Sequence, residues 1–369
     1  MTTAIVILVM LLILGYFYLK CSVMASLSTL IILLIATILT FSYYEKLAEL
    51  FVSRGYGVQW AHLGCFVLIF VLSFALLRAL RDLLVGGTAI DLGAPAKIGT
   101  AIVCGLLSGI IVCGNVFVTI GLVPIQNRFL YSRFKTDSPV ILKNPEKSFL
   151  NTDGFITGFY SLISRGSLSG SKSFAVLHAD YLSQIHLNRI KTGEGVLAVT
   201  SKKSLVIPTG STKKPVRVWD APDKGKVTVV RMGIVAQNIQ SGGAINPDTP
   251  SRIQFCPAQI RMICKPVSGS EKPLTGTGKA VWPIGFYAEE KLIQAKLDEI
   301  ISFDVKSAKD RIVWLDVVFE MPDGFEGVLL EFKQDALIAL PKAVTLTEEN
   351  EALLEAEEAD VEVKVEAGV

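Results

Sequence analysis

The chain has 369 residues, of which 51% are hydrophobic, with a mean hydropathy of +0.49 and a formal net charge of +2. The apolar excess lies in the first third, so an ordinary globular average is excluded. The basic residues are diffuse and form no aromatic-studded stripe, so nucleic acid is not an expected partner.

The first uncharged run is Thr2 to Leu19. No Lys or Arg precedes it and no small-x-small cleavage site follows, which predicts a retained membrane helix and not a cleaved signal. Val23 to Tyr44 is the second run. Ser26, Ser28, Thr29, Thr37 and Thr40 punctuate it, and such hydroxyls bond cheaply to a carbonyl one turn back. Tyr43 and Tyr44 end it as an aromatic belt. An interfacial extension follows, with Leu47, Leu50 and Phe51 on one face. Trp60 marks the opening of the third span, Val58 to Leu77. His62 lies beside it, near the water interface, and reads as a solvated imidazole in preference to a proton relay. Gly86, Gly87, Gly93 and Pro95 then break the chain.

The fourth span, Ile98 to Pro124, carries no charge over 27 residues. At about 1.5 Å per residue it crosses a hydrocarbon core of about 30 Å. Ala101, Gly105, Gly109 and Cys113 recur every fourth position, a smooth stripe that lets another helix approach closely. Four spans put both chain ends on one side. Lys20, Arg78, Arg81 and Lys97 fall opposite the ends. Lys46 and Arg54 fall on the terminal side, as do Arg128, Arg133, Lys135, Lys143 and Lys147 after the last span. Short loops and the first helix weigh most, so the ends are expected outside.

Asn127 to Asn151 is a polar connector. Gly154 to Phe174 reads as a flexible linker or as a segment lying on the bilayer, and Ala175 to Ile190 as a short helix. From Gly195 the period becomes two, with eight or nine short strands, rich in Val and Ile, between turn residues. Met321 to Gly324 is a turn between alternating strands. Glu289 to Ile300 is the one helix expected inside this region. The fold class is therefore an all-α membrane domain of four transmembrane helices followed by a mainly-β, sandwich-like soluble domain. The domains are 1–125, a linker with a short helix at 126–192, the β domain at 193–343, and an acidic tail at 344–369. From Thr345 onward the chain holds nine acids and one lysine, a charge density that favours disorder or fraying.

Catalytic signatures are weak. Gly166 to Gly170 has the outline of a nucleophile elbow, but its central residue is Leu168. Ser169-x-x-Lys172 and Ser211-x-x-Lys214 match a Ser-Lys spacing of the kind chance supplies in Ser/Lys-rich loops. His178 and His186 lack a flanking signature. Gly276 to Lys279 lacks the hydroxyl and the first glycine of a phosphate loop. Three scattered histidines and no CxxC predict no metal and no cofactor. Cys256 and Cys264 are the two cysteines of the soluble part, and they are read either as a disulfide in an oxidising compartment or as two unrelated buried thiols.

The first 125 residues resemble the CvpA family, named for colicin V production proteins. The resemblance is carried by the four-span plan, the link after Leu19-Lys20, the runs SYYEKLAEL and ALLRALRDLL, and Gly105-Leu106-Leu107-Ser108-Gly109. Lys97 and Ser108 depart from the family's charged positions. The resemblance implies a bacterial inner-membrane protein of envelope homeostasis or export. Some relatives carry an extracytoplasmic protease on the same four helices, and this implies an extracytoplasmic place for the β domain. The expected function is a non-enzymatic anchor for a β-rich binding domain, with the lipid bilayer, a second copy or another envelope protein as partners. An oligomeric channel and a cryptic hydrolase are the alternatives.

Overall fold

Each uncharged run of the first third forms a helix, the conformation in which an apolar segment satisfies its own backbone polar groups. The helices are α1 (Thr2–Lys20), α2 (Val23–Val52), α3 (Ala61–Val85) and α4 (Ala94–Gly121). The structure, a computed structural model, describes residues 2–85, 93–125, 131–135, 139–166, 170–191, 198–199, 201–210, 212–240, 252–267, 274–304 and 311–355. Among the described residues, four helical segments are long and apolar enough to cross a membrane. The chain divides into two units: Met1–Val123 with Arg128–Arg133 and Pro145–Leu162, and Pro124–Asn127 with Phe134–Asn144 and Ile163–Val369.

In the first unit α4 is the most enclosed span, packed on α1 and on α2, while α3 packs mainly on α2. The second span and its interfacial extension are one continuous helix of 30 residues. Thr37 and Thr40 donate to the carbonyls of Leu33 and Ala36 at 2.8 and 2.7 Å. Asn115 of α4 donates to Thr37 Oγ1 at 3.0 Å and to the Ile111 carbonyl at 2.9 Å, joining α4 to α2.

The first part of the stretch from Gly154 to Phe174 belongs to a helix, α5 (Thr152–Arg165). Its residues as far as Leu162 belong to the first unit. Ile156 and Tyr160 are buried there. Tyr160 stacks on Phe41 with ring centroids 5.0 Å apart, and its hydroxyl lies 2.8 Å from Ser42 Oγ. Sequence composition read as a linker because Ser and Gly are poor helix formers. Packing against the spans supplies what propensity withholds. Gly114 permits the approach: a Cβ there would collide with the Thr152 carbonyl and fall 2.5 Å from Ile156 Cγ1.

The second unit begins its regular structure with two helices, α6 (Phe174–Leu177) and α7 (Tyr181–Leu187), where one was expected. Asp180, at φ +53°, separates them. The strands are β1 (Ala198–Val199), β2 (Leu205–Val206), β3 (Val216–Ala221), β4 (Gly225–Val235), β5 (Ile239–Gln240), β6 (Arg252–Phe255), β7 (Ile260–Pro266), β8 (Lys279–Val281), β9 (Pro283–Ala288), β10 (Lys291–Gln294), β11 (Ile301–Asp304), β12 (Ile312–Phe319), β13 (Phe325–Phe332), β14 (Ala336–Ala339) and β15 (Val344–Thr345). The larger sheet has the order β10-β9-β12-β4-β3-β15, with β2 also on β4, and the smaller has β14-β13-β7-β8. One core layer draws Val230, Met232, Leu315 and Val317 from the larger sheet and Ile260, Met262, Leu330 and Phe332 from the smaller. Alternating side chains of two facing sheets thus share one interior, as in a sandwich.

The helix expected over Glu289 to Ile300 is not formed. Its first half is the β9–β10 hairpin, with Leu292 opposite Tyr287 and Ile293 opposite Phe286. The edge of β9 offers ladder hydrogen bonds that a helix would leave unmade. Glu289 and Glu290 make the turn, at φ +50° and +58°. Residues 348–355 of the tail form a helix, α8 (Glu348–Glu355), after β15, and Lys213 Nζ donates to the Leu353 carbonyl at 2.9 Å.

Two outcomes follow from this packing. Gly114→Ala should destabilise the first unit by about 1–3 kcal/mol through overpacking, measured as a lower midpoint of thermal unfolding in detergent. Glu289→Asn with Glu290→Gly should stabilise the second unit by roughly 1–2 kcal/mol, because Asn-Gly suits two left-handed turn residues and glutamate does not. An unchanged unfolding midpoint would refute the turn argument.

Candidate functional site

Along β4, residues Lys226, Thr228 and Val230 share one face, since side chains alternate in a strand. Val230 belongs to the core between the sheets. The same row therefore runs outward from the core through Thr228 to the charged Lys226. At this end the structure holds a cavity of about 760 Å³. That volume lies in the range of small-molecule sites. Val216, Val218 and Thr228 line it from the larger sheet, and Phe325, Gly327 and Leu340 from the other side. Gly327 keeps the wall thin: a Cβ there would fall 2.5 Å from Met262 Sδ.

Charge at the cavity is unevenly placed. Lys226 and Lys342 line it and are exposed. Lys279 pairs with Cys264, a core residue, and its Nζ stands 5.6 Å from the centroid of the Phe325 ring. Two acids also border the space. Glu326 is in register with Lys265 on the opposite face of β13 from Phe325 and Gly327, so it offers the cavity chiefly backbone. Asp323 is at the exposed turn after Met321.

Elsewhere in the second unit two groups of buried charges are paired. Arg261 donates to the carbonyls of Ala179 and Leu177, both at 2.7 Å, and to Glu331 Oε2 at 2.6 Å. Gln184 donates to Glu331 Oε1 at 2.8 Å and lies 3.0 Å from His178 Nδ1. Asp316 takes Arg217 at 2.7 Å and Arg231 at 2.6 Å, one guanidinium on each oxygen. Burial pushes the Cys264 thiol up to about 12. It pulls Lys333 down to about 7, an effect that Cys256 partly opposes. Burial likewise pulls Arg189 down to about 10; its Nε donates to the Ile125 carbonyl at 3.1 Å.

The residues singled out by sequence fall in three places. Ala101, Gly105, Gly109 and Cys113 are all buried on α4. All four meet α1, Ala101 through Phe17. A Cβ at Gly105 would lie 3.0 Å from Leu14 Cδ1 and 3.3 Å from Leu14 Cα, and one at Gly109 would lie 3.2 Å from Met10 Cγ. Cys113 packs with Val6, Met10 and Phe117. Cys256 and Cys264 are buried in different core clusters and do not form a disulfide with each other. The extended strand from Ile260 to Cys264 spans roughly 13 Å, which carries the second thiol away from the turn that holds the first. His178 belongs to the Gln184–Glu331–Arg261 network, and His186 is buried in α7. Ser169 and Ser211 lie outside the described residues. Among the described residues no three His, Cys, Asp or Glu side chains group as metal ligands.

The cavity residues carry no motif. The one sequence signal that could have found them is a lysine, Lys226, at the head of an otherwise inward-facing row. No protein-family model matches the chain, nor does any curated protein or solved structure.

Lys333 yields a pH prediction. Unfolded lysine keeps its proton to 10.5 and the folded residue only to about 7. Between these values the unfolded state binds more protons, so this group makes stability rise with pH. Below pH 7 its full penalty applies. Lys333→Met should therefore stabilise the protein at pH 7 by on the order of a few kcal/mol, with the gain shrinking toward pH 10.5. Unfolding midpoints across that range check it; a gain independent of pH would contradict it.

Proposed function

We propose that this chain is a non-enzymatic, multi-pass membrane protein that holds a ligand-binding β-sandwich at the outer side of a bacterial inner membrane. The carrying observation is the cavity at one end of the sandwich, in a chain whose first third consists of four apolar spans. A cavity lined chiefly by apolar side chains, with a few charged groups beside it, is the usual form of a small-molecule site. The outward position of the β domain is supported by Lys20, Arg78, Arg81 and Lys97, which flank the spans at the end opposite the chain termini. The envelope setting is supported by the resemblance of the span plan to CvpA proteins. The exposed apolar row Leu68, Leu72, Leu76 and Leu83 of α3 suits contact with lipid or with a second copy.

Reporter fusions at the C-terminus test the orientation. Alkaline phosphatase should be active there and green fluorescent protein dark; the reverse pattern would place the domain in the cytoplasm.

A further inference from the structure

The inter-sheet cavity allows its ligand to be specified further, on the reading above that it is a ligand site. Its depth is apolar: Val216, Val218, Phe325 and Leu340 leave no charged group to meet a polar ligand body. Two hydroxyl residues line it, the buried Thr228 and the exposed Ser171. The basic groups are at the outer end. Lys226 ends the inward row of β4, and Lys342 lines the same space. Of the two bordering acids, Glu326 sits on the other face of its strand and Asp323 lies in the exposed turn. The pattern is an apolar slot whose exposed rim carries two lysines, Lys226 and Lys342, and one acid, Asp323. A polar sugar or peptide would lose its hydrogen bonds to water in such a slot without replacement. A neutral hydrocarbon would leave the lysines without a role.

We infer that the cavity binds an anionic amphiphile, with one acyl chain between the sheets and its carboxylate or phosphate head at Lys226 and Lys342. The volume of about 760 Å³ admits a single chain of that kind. A free fatty acid and a lysophospholipid present the same chemistry, and a protein tethered to a bilayer meets both.

The test uses the full chain in phosphatidylcholine nanodiscs, titrated with a dansyl-labelled fatty acid, with protein-free nanodiscs subtracted. Saturable fluorescence enhancement is expected, displaced by palmitate, by lysophosphatidylglycerol or by both, and much less by cetyl alcohol. Which anionic competitor is stronger identifies the source. Lys226→Glu with Lys342→Glu should weaken binding by about 10-fold or more, the effect of losing a charge-assisted contact. Val218→Trp, which fills the slot, should abolish it. Leu340→Trp fills the same slot from the opposite wall and serves if Val218→Trp does not fold. Equal displacement by cetyl alcohol together with no effect of the lysine changes would overturn the anionic class while leaving the cavity as a site. Undiminished probe binding in a folded Trp variant, or no binding to the folded parent, would overturn the cavity reading itself.

Discussion

The guanidinium of Arg261 ties α6 and the turn after it to the smaller sheet. α6 and α7 are too short to satisfy their own ends, and the break at Asp180 leaves the carbonyls of Leu177 and Ala179 without helical partners. Arg261 supplies both, and Glu331 neutralises it from the neighbouring strand. All of this is buried, so removing either charge would leave the other unpaired at a cost of about 3–5 kcal/mol. The same contacts lay Val176 against Ile263 and Leu329 on the outer face of the smaller sheet. That face therefore has its own apolar layer, and residues of β7 and β13 can be apolar on one side and paired on the other.

The larger sheet solves the same problem with the opposite charge balance. Asp316 lies between two arginines on β3, β4 and β12, so one carboxylate faces two guanidiniums. The C-terminal segment closes over that face. Leu346 donates its N–H to the Val218 carbonyl at 2.8 Å and packs beside Trp219 and Tyr287. Burial first, and then the Glu351 carboxylate of α8, push the Tyr287 phenol up. An acidic segment that would fray in isolation is thus ordered by a sheet edge and by a locally basic surface. With both outer faces covered, the unfilled space lies between the sheets, where the row of β4 runs out into Lys226.

In the first unit, helix contact is governed by side-chain size. Hydrophobicity cannot pull spans together in lipid, so close van der Waals contact must do so. Gly105 and Gly109 bring α4 to within a methyl group of Leu14 and Met10, and Gly114 does the same for Thr152 and Ile156. Hydroxyls that bond to their own helix, as Thr37 and Thr40 do, leave few polar groups to direct assembly; Asn115 on Thr37, Arg81 on Thr29 and Ser42 beside Tyr160 are among them.

Much of this was legible beforehand. Uncharged runs of sufficient length dictate four spans, because the hydrocarbon core imposes one rule on every such segment. Period-two runs of Val and Ile dictate a mainly-β second half, since alternation has one meaning wherever one face is buried. What the sequence left open is what depends on neighbours distant in the chain. Gly154 to Arg165 is helical because Phe41, Ser42 and Gly114 receive it. Glu289 to Gln294 is a hairpin because the edge of β9 is unpaired without it. The cavity, likewise, exists because strands more than a hundred residues apart, β3 and β13, end their facing rows at the same place. Its residues are ordinary Val, Thr, Leu and Lys in the sequence. They become a site through the pairing of sheets, which no local pattern encodes.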